Sequence, residues 1–102
     1  MTDVLLRPAA VADLTEAHIH YSSVADGLGD RFVRAVDELF SRLAEFPRSA
    51  PLVAGYRDVR RAVVRGFPYV VFYRYQPERI DVLRILHAAR SAADRPPDEP
   101  RQ

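Results

Sequence analysis

The chain contains no cysteine. That excludes a disulfide framework, a thiolate zinc site and a catalytic thiol, and a reducing cytoplasm is the expected home. Lysine is missing as well, since all fifteen basic residues are arginine. A lysine acid or base is therefore unavailable, while guanidinium groups suited to bidentate binding of phosphate or carboxylate are plentiful. The same arginine bias would follow from a GC-rich coding sequence. No apolar run approaches the roughly 18 residues of a membrane span. The start, Met1-Thr2-Asp3, lacks the basic and apolar stretches of a signal peptide. The expectation is a soluble cytoplasmic protein. His18 and His20 have no metal-ligand partners at suitable spacing, so neither a metal nor another cofactor is expected.

What is present is enough apolar material for one core. At 102 residues and 48% apolar composition, the chain is expected to form one domain over residues 1–92, followed by a flexible C-terminal tail over 93–102. The stretch from Ser91 onward holds three prolines and little that could be buried, so it cannot offset its own ordering entropy.

Charge is unevenly placed. Residues 1–46 carry four arginines against eight acids, a net −4, whereas residues 47–95 carry ten arginines against four acids, a net +6. Such asymmetry points to an anionic partner for the second half.

The pattern of apolar residues gives the elements. Val4-Leu5-Leu6 reads as a short strand closed by Arg7-Pro8, and a helix is expected from about Ala9 with Val11, Leu14, His18 and Tyr21 on one face. Asp26-Gly27-Leu28-Gly29 supplies the reversal. A second helix follows, with Asp30 as expected N-cap and Phe32, Val36, Leu39, Phe40, Leu43 and Phe46 on its inward stripe, and Pro47 ends it. Three runs rich in β-branched and aromatic residues come next: Val59–Val64, Tyr69–Tyr75 and Ile80–Leu86. The turn sequences between them are too short for crossovers and predict an antiparallel meander. The fold class is therefore α+β in the order β-α-α-β-β-β, a twisted antiparallel sheet packed on an N-terminal helical hairpin. Apolar residues on both faces of Tyr69–Tyr75 mark it as a central strand rather than a base-stacking platform.

In order and spacing these residues resemble the RelE/ParE family of small toxins, the ParE branch more than the RelE branch. The resemblance rests on Leu5-Arg7-Pro8-Ala9 leading into Ala12-Asp13-Leu14 and Tyr21, on the Pro47 and Pro51 bracket, and on Val59-Arg60-Arg61. It continues through Phe67-Pro68-Tyr69-Val70-Val71-Phe72-Tyr73-Arg74, Ile80–Leu86 and the closing His87-Ala88-Ala89-Arg90. It implies the toxin of a type II toxin–antitoxin pair of the kind linked to plasmid stabilisation, neutralised by a cognate antitoxin in a hetero-oligomeric complex. ParE-like members poison DNA gyrase; RelE-like members cleave messenger RNA on the ribosome. A third alternative is a non-toxic antitoxin-binding module.

Cleavage of RNA without a metal requires a base for the 2′-hydroxyl, an acid for the leaving oxygen and cations on the phosphate. His87, Arg61 and Arg84 would be the catalytic set in a ribonuclease, with Arg60 and Arg65 as further phosphate holders. No second acid or base accompanies His87, which favours action by binding. The preferred reading of His87 is structural: at the end of a strand and three residues before Arg90, it is placed to bond backbone at the sheet edge and fix the C-terminal segment. The surface expected to bind target or antitoxin comprises Arg60, Arg61, Arg65, Arg74, Arg84, His87 and Arg90.

Overall fold

Leu6-Arg7-Pro8 decides how the chain leaves its first strand. The computed structural model describes residues 2–93, and side chains through residue 90. Strand β1 (Asp3–Leu6) passes directly into helix α1 (Pro8–Val24). Pro8 occupies the first turn, where the amide it lacks would have no helical partner. The buried side of α1 is Ala10 and Ala17, with Leu14 and Tyr21 packed beside them. This corrects the expected stripe: Val11 is 49% exposed and His18 is only partly covered. Two alanines sit where the helix lies against the sheet, and their small size, not their hydrophobicity, makes the close fit.

Helix α2 (Leu28–Glu45) buries Phe32, Ala35, Val36, Leu39 and Leu43. Its N-cap is Gly27, in the left-handed region at φ 77°, and not Asp30. Asp30 lies in the first turn, where its charge complements the helix dipole, and its Oδ1 lies 3.1 Å from Nε2 of His18. The hairpin is closed by contact at Gly29. A Cβ there would overlap Ser22 Oγ and come within 2.7 Å of the His18 carbonyl oxygen. Phe46, expected on the inward stripe, is the C-cap residue and largely exposed.

Strands β2 (Val59–Val63), β3 (Tyr69–Gln76) and β4 (Arg79–His87) form the antiparallel meander, and the sheet order is β1-β4-β3-β2. β1 joins β4 in parallel, from Asp3 opposite Arg79 to Leu6 opposite Val82, so the sheet is mixed. The helical hairpin carries the chain from β1 to β2 at the opposite edge, and the meander then brings β4 back beside β1. A bulge interrupts the β3–β4 register between Phe72 and Tyr73 and places Leu83 as an extra residue on β4. It re-phases the strand. Ile80, Val82 and Ile85 all reach the helix-side core, while Leu83 and Leu86 join Val59, Val70 and Phe72 on the opposite face.

That second face has its own cover, from Val53 and Tyr56 in the connection before β2 and from Ala88. β3 is thus internal and apolar on both sides, as its composition predicts. Ala88 opens a short helix α3 (Ala88–Ala93), an element the sequence reading lacked. The expected flexible tail lies outside the described residues apart from Ala93.

Candidate functional site

The arginines expected to form one basic surface are divided by the sheet into separate environments. Arg84 is the most constrained. Its Nε and Nη2 donate to the two carboxylate oxygens of Asp13 on α1, at 2.7 and 2.9 Å. The same carboxylate accepts the Ile85 backbone N–H at 2.9 Å. The need for this arrangement follows from topology. β1 covers the β4 edge only as far as Val82, where Arg7 N–H bonds the Val82 carbonyl at 2.9 Å. Beyond that point the next outward amide, Ile85, has no strand to pair with. Asp13 takes the place of the missing strand. Both side chains are shielded, 13% exposed for Asp13 and 14% for Arg84.

Arg60 is also committed to the fold. It stands opposite Tyr73, and its Nη1 donates to the carbonyls of Arg48 (3.2 Å) and Ala50 (2.7 Å). Tyr73 donates its hydroxyl to the Pro47 carbonyl at 2.8 Å. Together the two side chains tie down the chain that leaves α2. Burial raises the pKa of the Tyr73 phenol, with a backbone hydrogen bond from Ala50 and the Arg60 charge pulling partly back.

Arg61 and Arg84 belong to one cross-strand row with Phe72 between them. Arg74 stands between Val59 and the buried Asp81 at the other end of β3, and donates weakly to the Arg57 carbonyl, at 3.4 Å from Nε and 3.3 Å from Nη2. Asp81 is paired with Arg79 at 3.0 Å. Arg65 sits exposed beside Gly66 in the β2–β3 turn.

His87 closes β4 opposite Tyr69, with ring centroids 5.4 Å apart. Its Nδ1 accepts the Ala89 N–H at 3.1 Å, which steers the chain from the strand into α3. That bond assigns the proton to Nε2 in the neutral ring. Tyr69 continues into an aromatic group with Tyr21, Phe32 and Phe67, at centroid spacings of 5.0–5.9 Å. The Tyr69 phenol is raised chiefly by burial, then by the neighbouring Tyr21 phenol and Glu16, while Arg90 lowers it. Tyr21 is raised by burial.

His87, Tyr69 and Arg90 therefore lie near one another at one end of the sheet, Arg61 and Arg84 share its middle row, and Arg74 is at the far end. The residues do not converge on one phosphate-sized point. Asp13 and the Tyr21–Phe67 aromatics were absent from the expected site. Asp13 is 71 residues from Arg84 in sequence, a separation that leaves no local signal.

The description "ParE toxin of type II toxin-antitoxin system, parDE" belongs to the family model that matches residues 4–92. The chain belongs to this family. It is 36% identical over 77 residues to Toxin ParE2 of Mycobacterium tuberculosis, in both the CDC 1551 / Oshkosh and H37Rv strains, covering 74% of this chain and 70% of the relative. It also superposes on a chain of the chromosomal ParDE system from P. aeruginosa with a TM-score of 0.61 at 22% identity, covering 85% of this chain and 96% of that one. That likeness is one of fold. Among the described residues, this ParE-family chain has no group of three His, Asp or Glu side chains placed to hold a metal ion, and no helix long and apolar enough to cross a membrane.

Proposed function

We propose that this protein is a growth-arresting toxin that acts by binding and poisoning DNA gyrase in the cytoplasm, breaks no bond itself, and is held silent by a cognate antitoxin. The observation carrying this reading is the engagement of the arginines on which a ribonuclease would depend. Arg84 is held by Asp13 and Arg60 by two backbone carbonyls, so neither is poised over an empty phosphate position. His87 uses one ring nitrogen to hold the start of α3. A cleavage site needs cations aimed at a developing charge and a matched acid and base. A binding surface needs only a rigid display of charge and shape, and a sheet packed on both faces provides that.

The test is a gyrase supercoiling assay on plasmid DNA beside in vitro translation of a defined message. The expected result is loss of supercoiling with intact message. Ribosome-dependent cleavage that disappears in His87→Ala would instead make the protein a nuclease. Normal growth after induction without the antitoxin would leave only an antitoxin-binding module.

A further inference from the structure

β1 is an edge strand whose neighbour in the sheet is β4. The Asp3 N–H bonds the Glu78 carbonyl at 3.1 Å, and the Arg7 N–H bonds the Val82 carbonyl at 2.9 Å. Alternation therefore turns the backbone of Asp3, Leu5 and Arg7 toward β4 and that of Val4 and Leu6 away from it. Among the described residues, nothing bonds those outward N–H and carbonyl groups. Side chains alternate too. Val4 and Leu6 pack against the helix-side core, while Asp3, Leu5 and Arg7 lie exposed on the other face. Arg7 keeps the extended backbone, at φ −67° and ψ 156°, and so continues the row.

Open strand edges are commonly guarded by charge, which repels an incoming strand. The charges on β1 do the reverse for one particular visitor. Asp3 and Arg7 are opposite in sign and stand equally far on either side of Leu5. Neither has a side-chain partner among the described residues. Leu5, between them, is 51% exposed. The row is thus self-complementary under a two-fold rotation about Leu5, which is the condition for an isologous contact between identical chains.

We propose that β1 pairs antiparallel with β1 of a second copy of this chain, about a two-fold axis at Leu5. Val4 then stands opposite the partner's Leu6, and Leu6 opposite the partner's Val4. Each pair exchanges both of the backbone hydrogen bonds that the fold leaves unmade. Leu5 meets the partner's Leu5 at a non-hydrogen-bonded position, where side chains approach most closely. Asp3 lies across from the partner's Arg7 on each side of that contact, so opposite charges close both ends. The same residues fix the register, because a slip by two positions loses backbone pairs and sets Asp3 or Arg7 against Leu5. Opposed residues share a face, so the axis is perpendicular to the sheet, and both helical hairpins lie on one side of a sheet continuous through the two copies. Residues 3–7 on each side fall short of the roughly 20–30 residues of a standard interface, so the dimer is weak and forms with concentration. It rests on neither the toxin's target nor its antitoxin.

The test is sedimentation velocity of the full chain from about 10 µM to about 1 mM, with charge exchanges at the two ends of the row. The parent chain should pass from monomer to dimer across this range. Arg7→Asp sets acid against acid and should weaken the dimer about tenfold or more. Adding Asp3→Arg to it restores opposite charges in this register alone, and the double variant should recover to within about threefold of the parent. Recovery also separates lost pairing from damaged folding, which circular dichroism of both variants checks. A second measurement reads the axis. The chain has no cysteine, so Leu5→Cys carries a single thiol at the two-fold position. Under oxidised glutathione it should form a disulfide dimer about tenfold faster than Ile19→Cys, a control on α1 at a residue that is 63% exposed. A chain that stays monomeric at the highest concentration would overturn the proposal. So would a dimer that Arg7→Asp leaves intact, a double variant as weak as the single one, or equal cross-linking at Leu5→Cys and Ile19→Cys.

Discussion

Asp13 answers two needs with one carboxylate: it supplies the acceptor missing from the β4 edge and the counter-charge for a shielded guanidinium. Removing one member of such a pair leaves the other desolvated and uncompensated, which typically costs about 3–5 kcal/mol. Asp13→Ala is therefore expected to lower the unfolding free energy by about 3 kcal/mol, read from the urea midpoint. Asp13→Asn, which keeps an acceptor for Ile85, should lose less. A change below about 0.5 kcal/mol for Asp13→Ala would place the pair among those with no net effect. Toxicity should fall in step with stability in both Asp13→Ala and Arg84→Ala. Activity lost from a fully stable Arg84→Ala would instead put Arg84 in contact with the target. The tyrosines give a second test at this scale. Burial raises Tyr21, Tyr69 and Tyr73 above the ordinary phenol value of 10.0. Above that pH the unfolded chain loses phenolic protons that the folded chain retains, so their contribution to stability is full below pH 10 and declines as pH rises toward the folded values. With no lysine in the chain, tyrosine is the side chain that titrates in this window. The urea midpoint should hold steady from pH 8.5 to about 10 and then fall, with a shallower fall in Tyr73→Phe. An unchanged midpoint at pH 11 would contradict the raised phenols.

Among the elements, the helical hairpin shows how backbone proximity outweighs propensity. Alanine is preferred over glycine within helices by about 1 kcal/mol. At Gly29 the added methyl meets Ser22 Oγ, which can rotate away, and the His18 carbonyl, which cannot. The helices must therefore separate, and Gly29→Ala is expected to be destabilising by about 1–3 kcal/mol despite its better propensity. Thermal unfolding checks this, and a rise in melting temperature would mean that the contact yields easily. The same hairpin explains which parts of the fold could be read in advance. Period-two runs and turn residues revealed the β2, β3 and β4 strands to within one or two residues, because burial on both faces enforces β-branched and aromatic side chains there. Period 3.6 revealed both helices, yet it set Val11 in place of Ala10 and His18 in place of Ala17, since a hydrophobic pattern overlooks alanines selected for size. The parallel joining of β1 was invisible, because four residues of strand look the same in either direction. At the candidate site, the positions of His87 and Arg60 on their strands were legible, but their actual partners, an Ala89 amide and two loop carbonyls, were not. Those partners are backbone atoms brought close by folding, and the sequence has no residue type to announce them.

Across the whole molecule, the acidic first half forms β1 and the helical hairpin while the basic second half forms the meander, so helices and sheet differ in sign. This separation orients an anionic partner toward the sheet before any contact forms, an effect on association rate more than on final affinity. Arg60 and Arg84 contribute charge to that field but are fixed by internal partners, whereas Arg65 projects from the exposed β2–β3 turn. Arg65→Glu therefore separates steering from folding. Its unfolding free energy should stay within about 0.5 kcal/mol of the parent, as is usual for a surface substitution away from any cap or ion pair. Its association with purified gyrase, the target proposed above, followed by stopped-flow or surface binding, should slow by about tenfold at low ionic strength. The difference should shrink as salt rises toward 0.5 M, where the screening length falls to roughly 4 Å. A rate unchanged at low salt would remove the sheet's charge from the encounter. Slowing that persisted at high salt would mean that Arg65 touches the partner directly.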